Sequence, residues 1–176
     1  MAAIQNLRAS FDKLDVTVTN WMAHYGILFL RISLGLVFFW FGVLKFFPGL
    51  SPAQDLAIRT IDIMTLGQMP ASLSIFLLAT WECLIGLGLI TGMFMRVTLF
   101  LLFAQMLGTI TPVIFFPAEV FTRIPYAPTL EGQYIIKNLV LISAGLVIGA
   151  TVRGGAMIAD PEIIRTAGSS GSEKGG

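Results

Sequence analysis

Four segments of this chain are each long and apolar enough to cross the roughly 30 Å hydrocarbon core of a bilayer, at about 1.5 Å of rise per residue. They run from about Tyr25 to Phe47, from Pro70 to Thr91, from Arg96 to Phe116 and from Tyr134 to Thr151. Lipid offers no partner for backbone N–H and C=O groups, so each crossing must be a helix. Only Gly92, Met93, Phe94 and Met95 separate the second segment from the third, which forces an antiparallel helical hairpin. The pattern predicts an all-α integral membrane protein, a four-helix bundle. Composition agrees: 56% of residues are hydrophobic and 12% charged, whereas soluble domains carry about a quarter charged residues. A net charge of +1 leaves no basic footprint for nucleic acid, which excludes that class of partner. With one cysteine, Cys83, and one histidine, His24, the chain has neither a disulfide nor the ligands for a zinc cluster or a paired haem site. No metal site and no covalently bound cofactor are expected, and any cofactor held by this chain alone would be organic.

Before the first span, Ile4, Leu7, Phe11, Leu14, Val18 and Trp21 recur at spacings of three and four, the stripe of an amphipathic helix. Residues 1–24 are therefore expected to form an interfacial helix, residues 25–151 the four-helix membrane domain and residues 152–176 a tail. The tail is Gly/Ser-rich and expected to be disordered after about residue 165. No short apolar region with a small-residue cleavage site precedes residue 24, so no cleaved signal peptide is expected. In the first outer loop Ser51, Pro52 and Gln54 read as helix-start signals for a short helix ending near Leu66 and Gly67, either a lid or a plain cover for the bundle mouth. The second outer loop, Pro117 to Gly132, contains Pro117, Pro125 and Pro128 and is expected to be an ordered, non-helical cover. Arg8, Lys13, Arg96, Arg153, Arg165 and Lys174 would fall on one side of the membrane, against Arg59 and Arg123 in the outer loops. This asymmetry predicts that both termini are cytoplasmic.

Ionisable side chains inside a membrane cost about 2.5 to 3.5 kcal/mol on insertion scales and call for a partner or a function. Arg31 lies about 9 Å and Glu82 about 15 Å from the inner end of their spans, so an ion pair between them is geometrically available. Gln105 lies about 14 Å from the same side and reaches the level of Glu82. Lys45, Lys137 and Asn138 gather near the outer end with Glu131 and Gln133. Gly35 and Gly42 share a face with Arg31 and Lys45, Gly86 lies one turn from Glu82, and Gly145 and Gly149 align with Asn138, so the polar groups point into the bundle. Two readings stand open: polar glue between helices, or a small polar cavity for a quinone head group, an oxyanion or a proton. In the second, Glu82 and Arg31 handle protons or the head group, with Lys45, Gln105, Lys137 and Asn138 as ligand-binding groups. Lys45 and Lys137 could equally snorkel to the interface.

The run Arg31-Ile32-Ser33-Leu34-Gly35 with Phe39, Gly42 and Lys45, then Trp81-Glu82-Cys83-Leu84-Ile85-Gly86 with Gly92, then Arg96, and finally Lys137-Asn138-Leu139, resembles the DoxX family of small four-helix bacterial membrane proteins. That family's relatives include the DoxD-type subunit of thiosulfate:quinone oxidoreductase. The resemblance spans about residues 25 to 155. It implies a multi-pass protein of the bacterial plasma membrane that acts as a membrane subunit of a quinone-linked oxidoreductase system, with a quinone as cofactor and a separate protein partner or a second copy of itself beside it in the lipid bilayer. A non-catalytic scaffold or assembly protein is the rival reading, and a small-molecule permease a third.

Overall fold

The computed structural model describes residues 2–51 and 54–155, with side chains up to residue 16 described only at Phe11, Leu14 and Asp15. Expectations placed on Pro52, on Arg165 and Lys174, on the tail beyond residue 155 and on the side chains of Ile4, Leu7, Arg8 and Lys13 lie outside these residues. The described elements are α1 (Ala2–Leu44), α2 (Gln54–Met64), α3 (Ala71–Thr91), α4 (Met95–Ile110), α5 (Pro112–Phe115), α6 (Pro117–Val120), β1 (Phe121–Arg123), β2 (Ala127–Pro128) and α7 (Leu130–Thr151). Four stretches, Thr17–Leu44, Ala71–Thr91, Met95–Phe115 and Leu130–Thr151, are long and apolar enough to cross a membrane. The chain is thus a multi-pass, all-α membrane bundle with one small hairpin.

Two expectations are corrected. The separate interfacial helix ending at residue 24 is not found: α1 runs unbroken from Ala2 to Leu44. Gly26 is the one poor helix former near the expected boundary, and it costs only about 1 kcal/mol because it keeps its backbone donor. Phe11, Leu14, Val18 and Trp21 are all exposed. The third span holds as a crossing, Met95–Phe115, with a break in its hydrogen bonding at Thr111. Pro112 has no N–H to give the carbonyl of Gly108, and the backbone N and Oγ1 of Thr111 bond that carbonyl instead, at 3.3 and 2.7 Å, so that α4 ends and α5 begins. The second outer loop is ordered but not wholly non-helical, since it contains the short α6 beside an antiparallel β1–β2 pair. The side chain of Thr129 caps α7 by accepting from Gly132 N, which starts the fourth helix at Leu130, earlier than the apolar run alone indicates.

Glycines set the packing. A Cβ on Gly86 would lie 2.5 Å from the backbone N of Phe39 and 2.7 Å from its Cα, so α3 crosses α1 with backbone against backbone. A Cβ on Gly42 would lie 2.9 Å from Cys83 and Glu82, and one on Gly35 2.9 Å from Gly86, Leu89 and Ile90, which fixes the two helices antiparallel and in one register. On the other side, Gly145 of α7 packs on Leu102 and Phe103 of α4. Leu34, Phe38, Ile85, Leu89, Leu99, Leu102, Met106 and Ile148 close a core drawn from α1, α3, α4 and α7. This core fills the end of the bundle that carries the α3–α4 hairpin. The opposite end is covered by α2, α5, α6 and the β-hairpin, with Leu56 and Val120 buried beneath them.

Replacing Gly86 by Ala should destabilise the protein by about 1 to 3 kcal/mol, because the new methyl meets backbone that cannot turn aside. Gly26→Ala, where nothing lies within 4 Å, should be neutral or stabilising. Melting temperatures in one detergent compare the two, and equal values would remove the glycine crossing as the determinant of register.

Candidate functional site

α1 ends at Leu44, and the chain turns through short i to i+3 bonds from Lys45 N to Gly42 O, Phe46 N to Val43 O and Phe47 N to Leu44 O. Lys45 therefore sits at the negative end of a long helix, and its Nζ reaches back toward the carbonyl of Phe41 at 3.5 Å. The same Nζ donates to Glu82 Oε2 at 2.6 Å. Gly42 makes this possible by letting the backbone of α3 come close beside Glu82. Gln105, on α4, donates from Nε2 to Glu82 Oε1 at 2.6 Å. Glu82 lies near the midpoint of α3, with its side chain 9% exposed and that of Lys45 12% exposed. The result is a three-helix polar layer on top of the apolar core.

Both oxygens of Glu82 are bonded, yet the layer is not closed. Gln105 Oε1 is buried and has no hydrogen-bond partner among the described residues. An ammonium carries three donors, and two of those on Lys45 point at Glu82 and Phe41. One acceptor and one donor are therefore unused within the described residues.

Arg31 does not pair with Glu82. It lies beside Gly92 at the hairpin end of α3, where a Cβ on Gly92 would sit 2.7 Å from Arg31 Nη1. The positive φ of Gly92 (+75°) ends α3 there and its missing side chain leaves room for the guanidinium, against the negative end of the helix dipole. Arg31 Nε is buried without a partner among the described residues. The hairpin end lies level with Arg31 itself rather than with Tyr25, because α1 extends further past the hairpin than the apolar run indicates. With Gly42 against Cys83, Arg31 and Glu82 are about 18 Å apart along the helices.

The outer ligand group also divides. Lys45 belongs to the Glu82 layer. Lys137 is on the exposed face of α7, with its Nζ 5.7 Å from the centre of the Tyr134 ring. Asn138 points inward but is occupied, since its Nδ2 donates to Thr109 Oγ1 at 3.0 Å and ties α7 to α4. At the capped end the structure adds an interaction that sequence reasoning missed. Arg59 of α2 binds Glu119 of α6 through both terminal guanidinium nitrogens, Nη1 at 2.7 Å, and its Cζ lies 5.0 Å from the Phe116 ring centre. Two loop charges so far apart in sequence carry no periodic signal. The hydrogen bond from Arg59 holds the Glu119 carboxyl below its ordinary value, and the same bond holds the guanidinium pKa up.

A family model, DoxX, matches residues 26–118 of this chain. The chain belongs to the DoxX family. The matched stretch contains Arg31, Lys45, Glu82 and Gln105, while Lys137 and Asn138 lie beyond it. No curated protein and no solved structure matches the chain. In this DoxX protein the matched stretch thus includes the whole polar layer, and α7 with its Asn138 tie lies outside it.

Two measurements test the site. Lys45→Met alone should cost about 3 to 5 kcal/mol, because it strands a buried carboxylate, whereas Lys45→Met combined with Glu82→Met should return most of that stability. Arg31→Gln should cost much less than Lys45→Met, and a thermal melt that reverses this order would reinstate Arg31 as the partner. At the capped end, a carboxyl with a lowered pKa contributes above its ordinary value, and the contribution is lost as pH falls through its folded value. Amide exchange in α2 should therefore accelerate below about pH 4 in wild type and be fast and pH-insensitive, apart from intrinsic exchange, in Glu119→Gln. Identical pH profiles in the two proteins would show that the pair does not hold α2.

Proposed function

We propose that this protein is the membrane subunit of a quinone-linked oxidoreductase system, and that the Lys45–Glu82–Gln105 layer holds a quinone head group and handles its protons. The observation that carries this reading is the buried, unpartnered Gln105 Oε1 beside a spare donor on Lys45. A quinone, when bound, supplies a two-electron, two-proton redox couple with a carbonyl oxygen in one state and a hydroxyl in the other. Lys45 Nζ would donate to the carbonyl, Gln105 Oε1 would accept from the hydroxyl, and Glu82 Oε2 would take up or release the proton that Lys45 shares with it. The apolar core below the layer keeps water away from the hairpin side. Electrons need a partner protein, because one cysteine and one histidine give this chain little with which to hold a redox centre. In this reading the subunit sits in a bacterial plasma membrane with both termini cytoplasmic, as the distribution of loop arginines and lysines implies.

The rival reading, a non-catalytic scaffold, draws support from a specific feature: both oxygens of Glu82 are already satisfied within the chain. Polar layers of that kind can serve packing alone.

Gln105→Met separates the two. It keeps side-chain volume while removing the open acceptor, and a hydrogen bond of this type is worth about 0.5 to 1.5 kcal/mol. Affinity for a short-chain ubiquinone analogue, measured by tryptophan quenching in detergent, should fall up to about tenfold. Equal affinity in both proteins, or no affinity in wild type, would reject the quinone site and leave the scaffold.

A further inference from the structure

We infer that the groove between α4 and α7 at the hairpin end binds an anionic phospholipid, with Arg96 and Arg153 on its phosphate headgroup and the apolar floor against an acyl chain. The two helices run antiparallel, since Gly149 faces Leu99 and Asn138 reaches Thr109, so the start of α4 and the end of α7 share one end of the bundle. Arg96 is the second residue of α4 and Arg153 follows the end of α7, which brings both guanidinium groups to the rim of the same groove. The groove measures about 350 Å³, and Leu99, Phe103, Gly149 and Val152 form its floor. Among the described residues no acidic side chain lines it.

Three features select an anionic lipid over a bare anion or a neutral lipid. Among the described residues neither arginine takes part in an ion pair, so the rim carries two uncompensated positive charges at the depth where lipid phosphates lie. The first turn of α4 has no side-chain cap, and its free N–H groups add charge of the same sign. The floor is apolar and continuous with the lipid-facing side of the helices, where Phe100 is 70% exposed. A free phosphate would have no use for that floor, and a zwitterionic lipid would bring its own cation toward the arginines. Gly149 keeps the groove open: a Cβ there would meet Leu99 Cδ1 at 3.5 Å, ordinary contact, so a longer side chain would extend into the groove rather than break the helix pair.

The test is native mass spectrometry of the whole chain in detergent, titrated with phosphatidylglycerol and phosphatidylcholine of identical acyl chains. Wild type should retain phosphatidylglycerol at least tenfold better than phosphatidylcholine. Arg96→Gln and Arg153→Gln should each weaken phosphatidylglycerol about fivefold and leave phosphatidylcholine unchanged. Gly149→Met should weaken both lipids by occupying the floor. Equal retention of the two lipids by wild type, or no loss in the arginine variants, would overturn the site, and the first of these does not depend on any variant folding. A second measurement distinguishes the phosphate source: phosphatidylglycerol should raise the melting temperature, and inorganic phosphate at millimolar concentration should not. An equal rise with phosphate would mean a simple anion site and would also overturn the proposal.

Discussion

The contact on which the rest of the molecule depends is the crossing of α1 and α3 through Gly86, with Phe39 backbone where a side chain would otherwise be. Lipid tails are as apolar as leucine, so helices in a membrane gain little from burying apolar surface and associate through close packing and polar contacts instead. Gly35, Gly42 and Gly86 supply the close packing. Once α3 is locked against α1 in this register, Lys45 is, among the described residues, the cation that reaches Glu82. Sliding α3 by one helical turn would leave Glu82 unpaired in hydrocarbon and drive a side chain into Phe39. Packing and electrostatics therefore enforce the same alignment.

The capped end is built on a different principle. There the helices are interrupted: α1 stops at Leu44, about 15 Å short of the start of α3, and α4 stops at Ile110, just before Thr111 and Pro112. The space is filled by turns and short helices whose backbone groups bond locally, as Thr111 does for Gly108, and whose charges bond each other, as Arg59 does with Glu119. Thr129 accepts from Gly132 N and donates to the carbonyl of Glu119, joining the β-hairpin region to the start of α7. The hairpin end is closed by apolar packing, and the capped end by polar contacts.

How much of this could be read in the sequence follows from what each feature depends on. The four crossings were legible because length and apolarity alone decide whether a helix can span a bilayer. The grouping of Glu82 with Gln105 was legible because both are measured from one short hairpin, whose four connecting residues leave almost no freedom. The choice of cation was not. It requires knowing how far α1 extends past the hairpin end, and an unbroken helix with apolar residues from Thr17 gives no internal mark of the membrane boundary. Lys137 and Asn138 are adjacent in sequence, yet a helix turns neighbours about 100° apart, so one could face Thr109 while the other lies over Tyr134 on the exposed face. The break at Pro112 was visible as a residue but was hidden by the apolar run around it.

The position of Glu82 near the middle of α3 has an electrical consequence. A proton that reaches its carboxylate from either face crosses about half of the hydrocarbon. If the field drops evenly across that thickness, a membrane potential of 100 mV biases such a transfer by about 1 kcal/mol, half of the value for a full crossing. Any proton exchange at Glu82 would therefore feel the membrane potential through the depth of the carboxylate alone, in proportion to how far along α3 it is placed.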